Sequence, residues 1–404
     1  MAVVDYAASS RTPTQNAPLR VLFVSHTYVV GVNQGKLTAI AQLPQVQVGL
    51  LAPSNWQASE WNRRLIVEQP HAAIQFYSAP VQFSGRGGAH FYAPWKIWQV
   101  LQDFQPDVVQ VEEEVFSLCA FQFAIWAKLT GKKLVIFGWE NQPRQFPKVR
   151  QFVRDFVLNN AALIIAGNQD GAKILRQWQY DGCIAVMPQM GVDPTLFQPQ
   201  KSQQRSWVQS AFCIGYLGRL VPEKGIDTIL TALRSLKDQG LACRLVLCGT
   251  GSGEAEFRQR AETLGIADQI TWKTAIAHEQ VPEAIASWDV LLLPSRTTAT
   301  WKEQFGHVLI EAMAMGIPVV GSDSGEIPNV IGRSDVVFPE GDDTALAKIL
   351  QCLIRDPQWR SELRTYGLNR VQQCYTHDRI AERLMSLWQQ ILQPPDLQHP
   401  GGQP

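Results

Sequence analysis

No two cysteines in this chain are spaced Cys-x-x-Cys, no Asp-x-Asp occurs in its 404 residues, and Lys plus Arg (36) are balanced by Asp plus Glu (36). Each absence removes a class of function. Seven scattered cysteines, at 119, 183, 213, 243, 248, 352 and 374, offer neither a disulfide framework nor a zinc-ligand cluster, and they fit a reduced, cytoplasmic compartment. Without Asp-x-Asp, the usual carboxylate clamp for a hard cation on a diphosphate is missing, so no metal and no cofactor is expected. Zero net charge argues against a nucleic-acid partner, which ordinarily meets a basic surplus. No uncharged apolar run approaches the ~20 residues that span a bilayer. Residues 1–17 lack the apolar core of a signal peptide. The expectation is a soluble protein, cytoplasmic or peripheral at the inner face of the plasma membrane.

What the chain does contain is a long alternation of apolar strands with helical patterns. Hydrophobic residues make up 46%, and at roughly 150 residues per domain the length implies two or three domains. Strand-like runs fall at 21–25, 46–52, 73–77, 107–111, 133–137, 163–167 and 184–188, then again at 213–218, 243–249, 269–273, 289–295 and 317–323. Helical stretches separate most of them, for example 116–130, which Gly131 would close. This alternation predicts an α/β protein with parallel sheets covered on both faces. The organisation expected is a loose tail over 1–17, a Rossmann-like domain over 18–190 and a polar linker over 191–210. A second Rossmann-like domain follows over 211–375, then a helix over 376–392 with Ile380, Leu384, Leu387 and Ile391 on one face, and a loose tail over 393–404.

Ligands of doubly wound sheets sit where strands end and loops enter helices. Two such loops carry a charge pattern. After the run 213–218 come Gly218, Arg219, Lys224 and Gly225; a guanidinium fork and an ammonium at a sheet edge suit a diphosphate. After 289–295 come Glu303, Phe305 and Gly306, then a helical stretch holding His307, Val308, Leu309 and Glu311 and ending before Gly316. A helix N-terminus offers unpaired N–H groups to a phosphate. Glu303 lies before the helix, within reach of sugar hydroxyls, and Glu311 lies about a turn and a half inside, within reach of a ribose. The Gly-rich Cys248–Gly253 loop lacks the Lys-Ser/Thr of a P-loop. It approaches the nucleotide or simply makes a tight turn; the spacing leaves both open.

Taken together, these elements resemble the retaining glycosyltransferases of family 4, which have the GT-B fold: two Rossmann-like domains facing each other across a cleft. The resemblance covers roughly residues 20–390 and is sharpest over 213–332. The family pattern Glu-x7-Glu matches Glu303 and Glu311, and its Gly-Arg…Lys-Gly pattern matches Gly218, Arg219, Lys224 and Gly225. It implies that Arg219 and Lys224 hold the donor diphosphate. Glu303 and the backbone at Phe305–Leu309 would hold sugar and phosphate, Glu311 the ribose, and the stretch from Thr274 to Ile276 would lie near the base. It also implies a nucleoside-diphosphate-sugar donor, a saccharide, lipid-linked or other acceptor, and a last helix that crosses back onto the first domain.

The acceptor side departs from the family. Where many members carry His-x-His, this chain has Gln110 and Glu112, followed by Glu113 and Glu114, and the usual Gly-Gly loop after the first strand is replaced by SHTYVVGVNQGK (25–36). Glu112 is the catalytic candidate there, with His26, His90, Glu113, Glu140 and Asn141 as acceptor-side candidates. The segment 144–158 mixes Arg and Lys with Phe and Val and is a candidate for peripheral membrane contact. Two other functions compete with this one. A catalytically silent sugar-nucleotide-binding protein would not need both glutamates. An NAD-dependent oxidoreductase needs Gly-x-Gly-x-x-Gly closing its first strand, which neither 21–31 nor 213–225 supplies.

Overall fold

A strand that is apolar on both sides must be covered on both faces. The computed structural model, which describes residues 17–58, 63–199 and 211–393, shows how this is met. Seven parallel strands form the first sheet: β1 (Leu19–Val24), β2 (Val46–Pro53), β3 (Ile74–Ala79), β4 (Val108–Glu112), β5 (Lys133–Gly138), β6 (Leu163–Ala166) and β7 (Ile184–Val186). Their order is β7-β6-β5-β4-β1-β2-β3. Six more form the second: β8 (Phe212–Leu217), β9 (Cys243–Cys248), β10 (Ile270–Lys273), β11 (Val290–Leu293), β12 (Val319–Ser322) and β13 (Val337–Phe338), in the order β10-β9-β8-β11-β12-β13. The chain has the GT-B fold.

Alternation along β1 builds two cores at once. Leu22 and Val24 join the core under helices Pro94–Phe104, Leu118–Thr130 and Lys148–Asn160, while Val21 and Phe23 join the core on the opposite face. In both sheets the first strand is central: Val21 stands between Val48 and Val108, and Ile214 between Leu245 and Val290. The order therefore reverses between β1 and β4 and between β8 and β11. At such a point adjacent carboxyl ends lead their loops apart and leave a crevice.

The last helix, His377–Leu392, does not belong to the second core. Ile380, Ala381, Leu384, Trp388 and Ile391 pack with Val21, Phe23, Leu37 and Ile40 of the first domain. The two chain crossings between domains run side by side: Val192 N–H donates to Tyr375 O (2.8 Å) and His377 N–H to Val192 O (3.3 Å). Phe197, inside the segment expected as a polar linker, is buried in the second core, so the linker reading is corrected for that stretch; residues 200–210 lie outside the described residues. So do 1–16 and 394–404 of the expected tails. Two short hairpins, Asn55–Ala58 with Arg63–Ile66 and Val81–Gln82 with Phe91–Tyr92, have no counterpart in the sequence reading. Their strands are too short and too polar to show alternation.

Glu112 ends β4, but it points into the first core rather than the cleft, and this corrects its catalytic assignment. It is fully buried, and its carboxylate accepts from Lys36 Nζ (2.6 Å), Tyr28 Oη (2.6 Å), Gln110 Nε2 (2.7 Å) and Gln189 Nε2 (2.8 Å). Gln110 Oε1 accepts in turn from Trp388 Nε1 (2.9 Å). A charge with its whole hydrogen-bonding capacity spent inside a core is structural. Glu112→Ala leaves the buried Lys36 uncompensated and should lower stability by about 3–5 kcal/mol in urea unfolding followed by tryptophan fluorescence. The joint replacement Lys36→Met with Glu112→Leu removes the unpaired ammonium but leaves the Tyr28 hydroxyl and the Gln110 and Gln189 amides without their acceptor, so it should recover only part of that loss. Donor nucleotide affinity should not change in either.

Candidate active site

The crevice between β8 and β11 brings two sequence-distant loops into contact. Lys224 ends a 3-10 turn, Pro222–Lys224, and Gly225 follows in a left-handed conformation (φ 68°). A Cβ on Gly225 would stand 2.0 Å from Pro294 O, so only glycine lets this turn approach the end of β11 so closely. Arg296 N–H then donates to Glu223 O (2.8 Å), stitching the loops together. Lys224 Nζ consequently lies 2.6 Å from Glu303 Oε2, which also accepts from Ser295 Oγ (2.8 Å), and the ammonium sits 4.6 Å from the centre of the Trp301 ring. Lys224 and Glu303 side chains are 14% and 10% exposed, so the pair is shielded but open at one end. Arg219 is different: half exposed, 3.8 Å from Glu223, its guanidinium is held only loosely.

The Gly-rich loop after β9 braces the Arg219 loop. Gly249 (φ 149°) packs where a Cβ would meet Gly218 O at 1.9 Å; Leu220 N–H donates to Thr250 O and Gly253 N–H to Leu220 O, both at 2.9 Å. The loop makes a tight turn packed on Gly218 and Leu220. Thr274 and Ile276 follow β10 on the same edge, Thr274 O accepting from Cys248 Sγ (3.4 Å).

Beyond Glu303, Phe305 packs on Tyr375 (ring centroids 5.8 Å), and Gly306 caps the helix His307–Ala314 without any side-chain cap. The first N–H groups of this helix, at His307 and Val308, precede the first turn's hydrogen bond, which Leu309 N–H makes to Gly306 O. As the first N–H groups of a helix they have no intrahelical acceptor and carry the positive end of its dipole. Burial pushes His307 down to about 4, so its ring is neutral. Glu311 lies one turn inside. Burial pushes its carboxyl up to about 7, with no opposing charge or hydrogen bond to hold it down.

The corresponding crevice between β1 and β4 is arranged otherwise. Glu113, buried, accepts from His26 Nδ1 (2.6 Å) and from the His26 backbone N–H (2.9 Å). Burial works against both charges, but each opposes it in the other: the pair holds His26 above and Glu113 below its ordinary value. His90 is fully buried beside them, with Nε2 3.6 Å from Glu113. Neither His90 nor Glu113 presents an atom to an acceptor, which corrects their assignment as acceptor contacts; His26, 22% exposed, is the one member of the group that is partly open. Glu114 turns toward β5 and accepts from the N–H groups of Trp139 (2.7 Å) and Glu140 (3.0 Å), and burial pushes it up to about 8. Glu140 is paired with Arg144 (2.6 Å).

Asn141 does reach the second domain: its Nδ2 donates to both Lys302 O and Glu303 O (3.2 Å each). Around it Gln142 Nε2 donates to Thr298 O (3.0 Å), Gln304 Nε2 to Trp139 O (3.2 Å), Lys302 Nζ pairs with Asp170 (2.6 Å), and Gln169 N–H donates to Glu326 Oε2 (2.8 Å). The two domains thus meet through the loop that carries Glu303. Sequence reading singled out Asn141 but missed Asp170 and Lys302, because a contact across a cleft leaves no spacing pattern, and it missed Ser295, which bonds Glu303 within the second domain.

Comparison with known proteins follows this geometry. Residues 197–370 match the family model described as glycosyl transferases group 1. The GDP-mannose-dependent alpha-(1-6)-phosphatidylinositol monomannoside mannosyltransferase of Mycobacterium tuberculosis is 34% identical over 149 residues, 35% of this chain and 38% of that protein. The putative colanic acid biosynthesis glycosyltransferase WcaL of Salmonella typhimurium is 32% identical over 210 residues, 51% of each chain. The alignments therefore span about half or less of these relatives' lengths. Among solved structures, Anabaena Alr3699/HepE in complex with UDP superposes with a TM-score of 0.67 at 19% identity, covering 92% of this chain and all of that one. Over residues 197–370 the chain is similar to the glycosyl transferases group 1 family, and it has the GT-B fold.

Proposed function

We propose that the chain is a retaining glycosyltransferase that moves a sugar from a nucleoside-diphosphate sugar to a saccharide, lipid-linked or other acceptor in polysaccharide or glycolipid biosynthesis. The observation that carries this reading is the Lys224–Glu303 pair beside the uncapped helix His307–Ala314, at the ligand edge of the second sheet. A cation, a helix N-terminus and a carboxylate in one crevice match the three parts of such a donor: leaving diphosphate, phosphate oxygens and sugar hydroxyls. The chain's relatives include a phosphatidylinositol monomannoside mannosyltransferase and a putative colanic acid biosynthesis glycosyltransferase, and the Anabaena protein was solved in complex with UDP.

In this reading Arg219 and Lys224 take the diphosphate with the N–H groups of His307 and Val308, Glu303 takes the sugar, Glu311 the ribose, and Thr274 and Ile276 flank the base. The bond from the anomeric carbon to the diphosphate breaks and the acceptor oxygen bonds that carbon on the same face. The acceptor's proton passes to the departing phosphate. Charge growing on that phosphate is what the two cations stabilise, without a divalent ion at the diphosphate.

The membrane side of the reading rests on exposed apolar groups. No helix among the described residues is long and apolar enough to cross a membrane. But Trp95 (65% exposed), Trp98, Leu129, Val149 and Phe152 stand on the outer faces of three helices that share one face of the first sheet. Lys96, Lys128, Lys132 and Lys148, all exposed, are interleaved with them. Aromatic rings among cations suit an anionic bilayer surface. The protein should float with vesicles containing phosphatidylglycerol but not with pure phosphatidylcholine, and Trp95→Ser with Phe152→Ser should abolish flotation.

A screen of GDP-, UDP- and ADP-sugars, with the product's anomeric proton read by NMR, tests the central reading: an inverted product, or turnover that magnesium alone restores, overturns it. With the accepted donor, Arg219→Ala and Lys224→Ala should each lower kcat about a hundredfold to a thousandfold, while donor Kd rises less. Glu311 gives a pH signature. Ribose hydroxyls donating to it favour its charged form, so with a free-enzyme value of about 7 binding near pH 6 must expel a proton. Nucleotide Kd should be about tenfold weaker at pH 6 than at pH 8. Calorimetry on Glu311→Gln should show that dependence gone; an unchanged pH profile removes Glu311 from the ribose site.

A further inference from the structure

Outside the donor crevice, one cluster of chemically capable groups is unexplained by the reading above. His26 follows β1, Glu113 follows β4, and His90 lies in the loop before Phe91; folding brings one ligand atom from each within 4.8 Å of the others. The environment of His90 defines what is missing. Its Nδ1 lies 2.9 Å from Gly87 O, and a carbonyl only accepts, so Nδ1 carries the hydrogen. In a neutral ring this leaves Nε2 as a bare lone pair. That Nε2 is fully buried, has no hydrogen-bond partner among the described residues, and faces the carboxylate oxygen of Glu113 at 3.6 Å. Two buried acceptors facing each other need a proton or a metal cation between them.

We propose that His26 Nδ1, His90 Nε2 and Glu113 together bind one divalent transition-metal ion of the zinc class. Three things support the assignment. The ligand set, two imidazoles and one carboxylate, suits zinc, cobalt, nickel or copper rather than magnesium or calcium. The spacing is close to what such an ion needs: tetrahedral ligands at about 2.1 Å from zinc stand roughly 3.4 Å apart. The His90–Glu113 gap of 3.6 Å is already there, and the 2.6 Å His26–Glu113 contact has only to open by somewhat less than 1 Å. The surroundings also hold the ligands in orientation, as metal sites require. The Gly87 carbonyl fixes the His90 tautomer, the His26 backbone N–H steadies the carboxylate, and Trp56 stacks on the His26 ring (4.4 Å) and meets the His90 ring edge-on (5.0 Å). His26, with 22% of its side chain exposed, is the route in and leaves a coordination position for water. The ion would replace the proton now shared by His26 and Glu113 and release it to solvent. It would tie three loops to the β1–β4 crevice. The site is separate from the donor diphosphate and stands or falls independently of glycosyl transfer.

The test uses the full chain, stripped with chelator and titrated with Zn2+ by calorimetry, with elemental analysis after desalting. One zinc per chain should be retained, with proton release and a raised thermal midpoint, while millimolar Mg2+ does neither. Co2+ in its place should give visible absorption in the range for a four-coordinate nitrogen–oxygen site. His90→Phe and Glu113→Gln should each weaken zinc binding by at least roughly tenfold. If either fails to fold by circular dichroism, His26→Phe, at the partly exposed position and able to keep the Trp56 stack, gives the same readout. No zinc retained by the wild-type chain overturns the proposal. So does zinc retained with undiminished affinity in the folded variants.

Discussion

The 2.6 Å contact between Lys224 and Glu303 is the constraint on which the rest of the second domain's edge depends. Two loops that leave a sheet at its point of order reversal naturally diverge. Here they are drawn together. Gly225 permits a backbone approach that no side chain would survive, Arg296 N–H bonds Glu223 O, and Ser295 supplies a second donor to the carboxylate. The result is an ammonium that is neutralised yet not sealed. A buried cation without a partner would be costly, and one fully enclosed with its partner would be useless to a ligand. With one end open, Lys224 can exchange a share of its interaction with Glu303 for a phosphate oxygen without ever facing an apolar wall alone.

The same loop also carries the contact between domains. Asn141 holds the backbone carbonyls of Lys302 and Glu303, and Lys302 pairs with Asp170. The carboxylate of Glu303 is thus tied to the second domain while its carbonyl is tied to the first. Rotating the domains apart must break those hydrogen bonds and release the loop. The position of Glu303 and the closed arrangement of the cleft are therefore thermodynamically linked, whichever event comes first.

Much of this was legible in the sequence, and the reasons are local. The longer sheet strands read within a few residues because parallel strands covered on both faces need continuous apolar runs, as at 21–24 and 290–293, whereas the two-residue β13 did not read. The donor-side residues read because loop, glycine and helix start are contiguous: Gly218 to Gly225 and Glu303 to Glu311 each lie on one short segment. What did not read is non-local. The meeting of His26 with His90 and Glu113 and the Asp170–Lys302 pair join segments tens of residues or more apart, and no periodicity records such meetings. Phe197 misled for a different reason: one buried ring inside a polar stretch is invisible to any window average.

Glu112 and Glu113 show where reasoning from the sheet edge alone stops. Both sit at the carboxyl end of β4, the place where ligands are sought, yet neither faces the cleft. Successive side chains on a strand point to opposite faces. Glu112 therefore drops onto the face covered by the last helix, where Lys36 and the Gln110–Trp388 link consume it. Glu113 turns the other way, under Trp56, against two imidazoles. Their neighbour Glu114 is spent on the N–H groups of the next loop. Three adjacent acids at one strand end have three separate fates, each set by the charge or donor that the fold brings to it. On the opposite side of the cleft, Glu303 stays available because its partner Lys224 comes from an open turn rather than from a core helix. Whether a carboxylate at a strand end can serve a ligand is decided by where its counter-charge is anchored, and strand position alone does not carry that information.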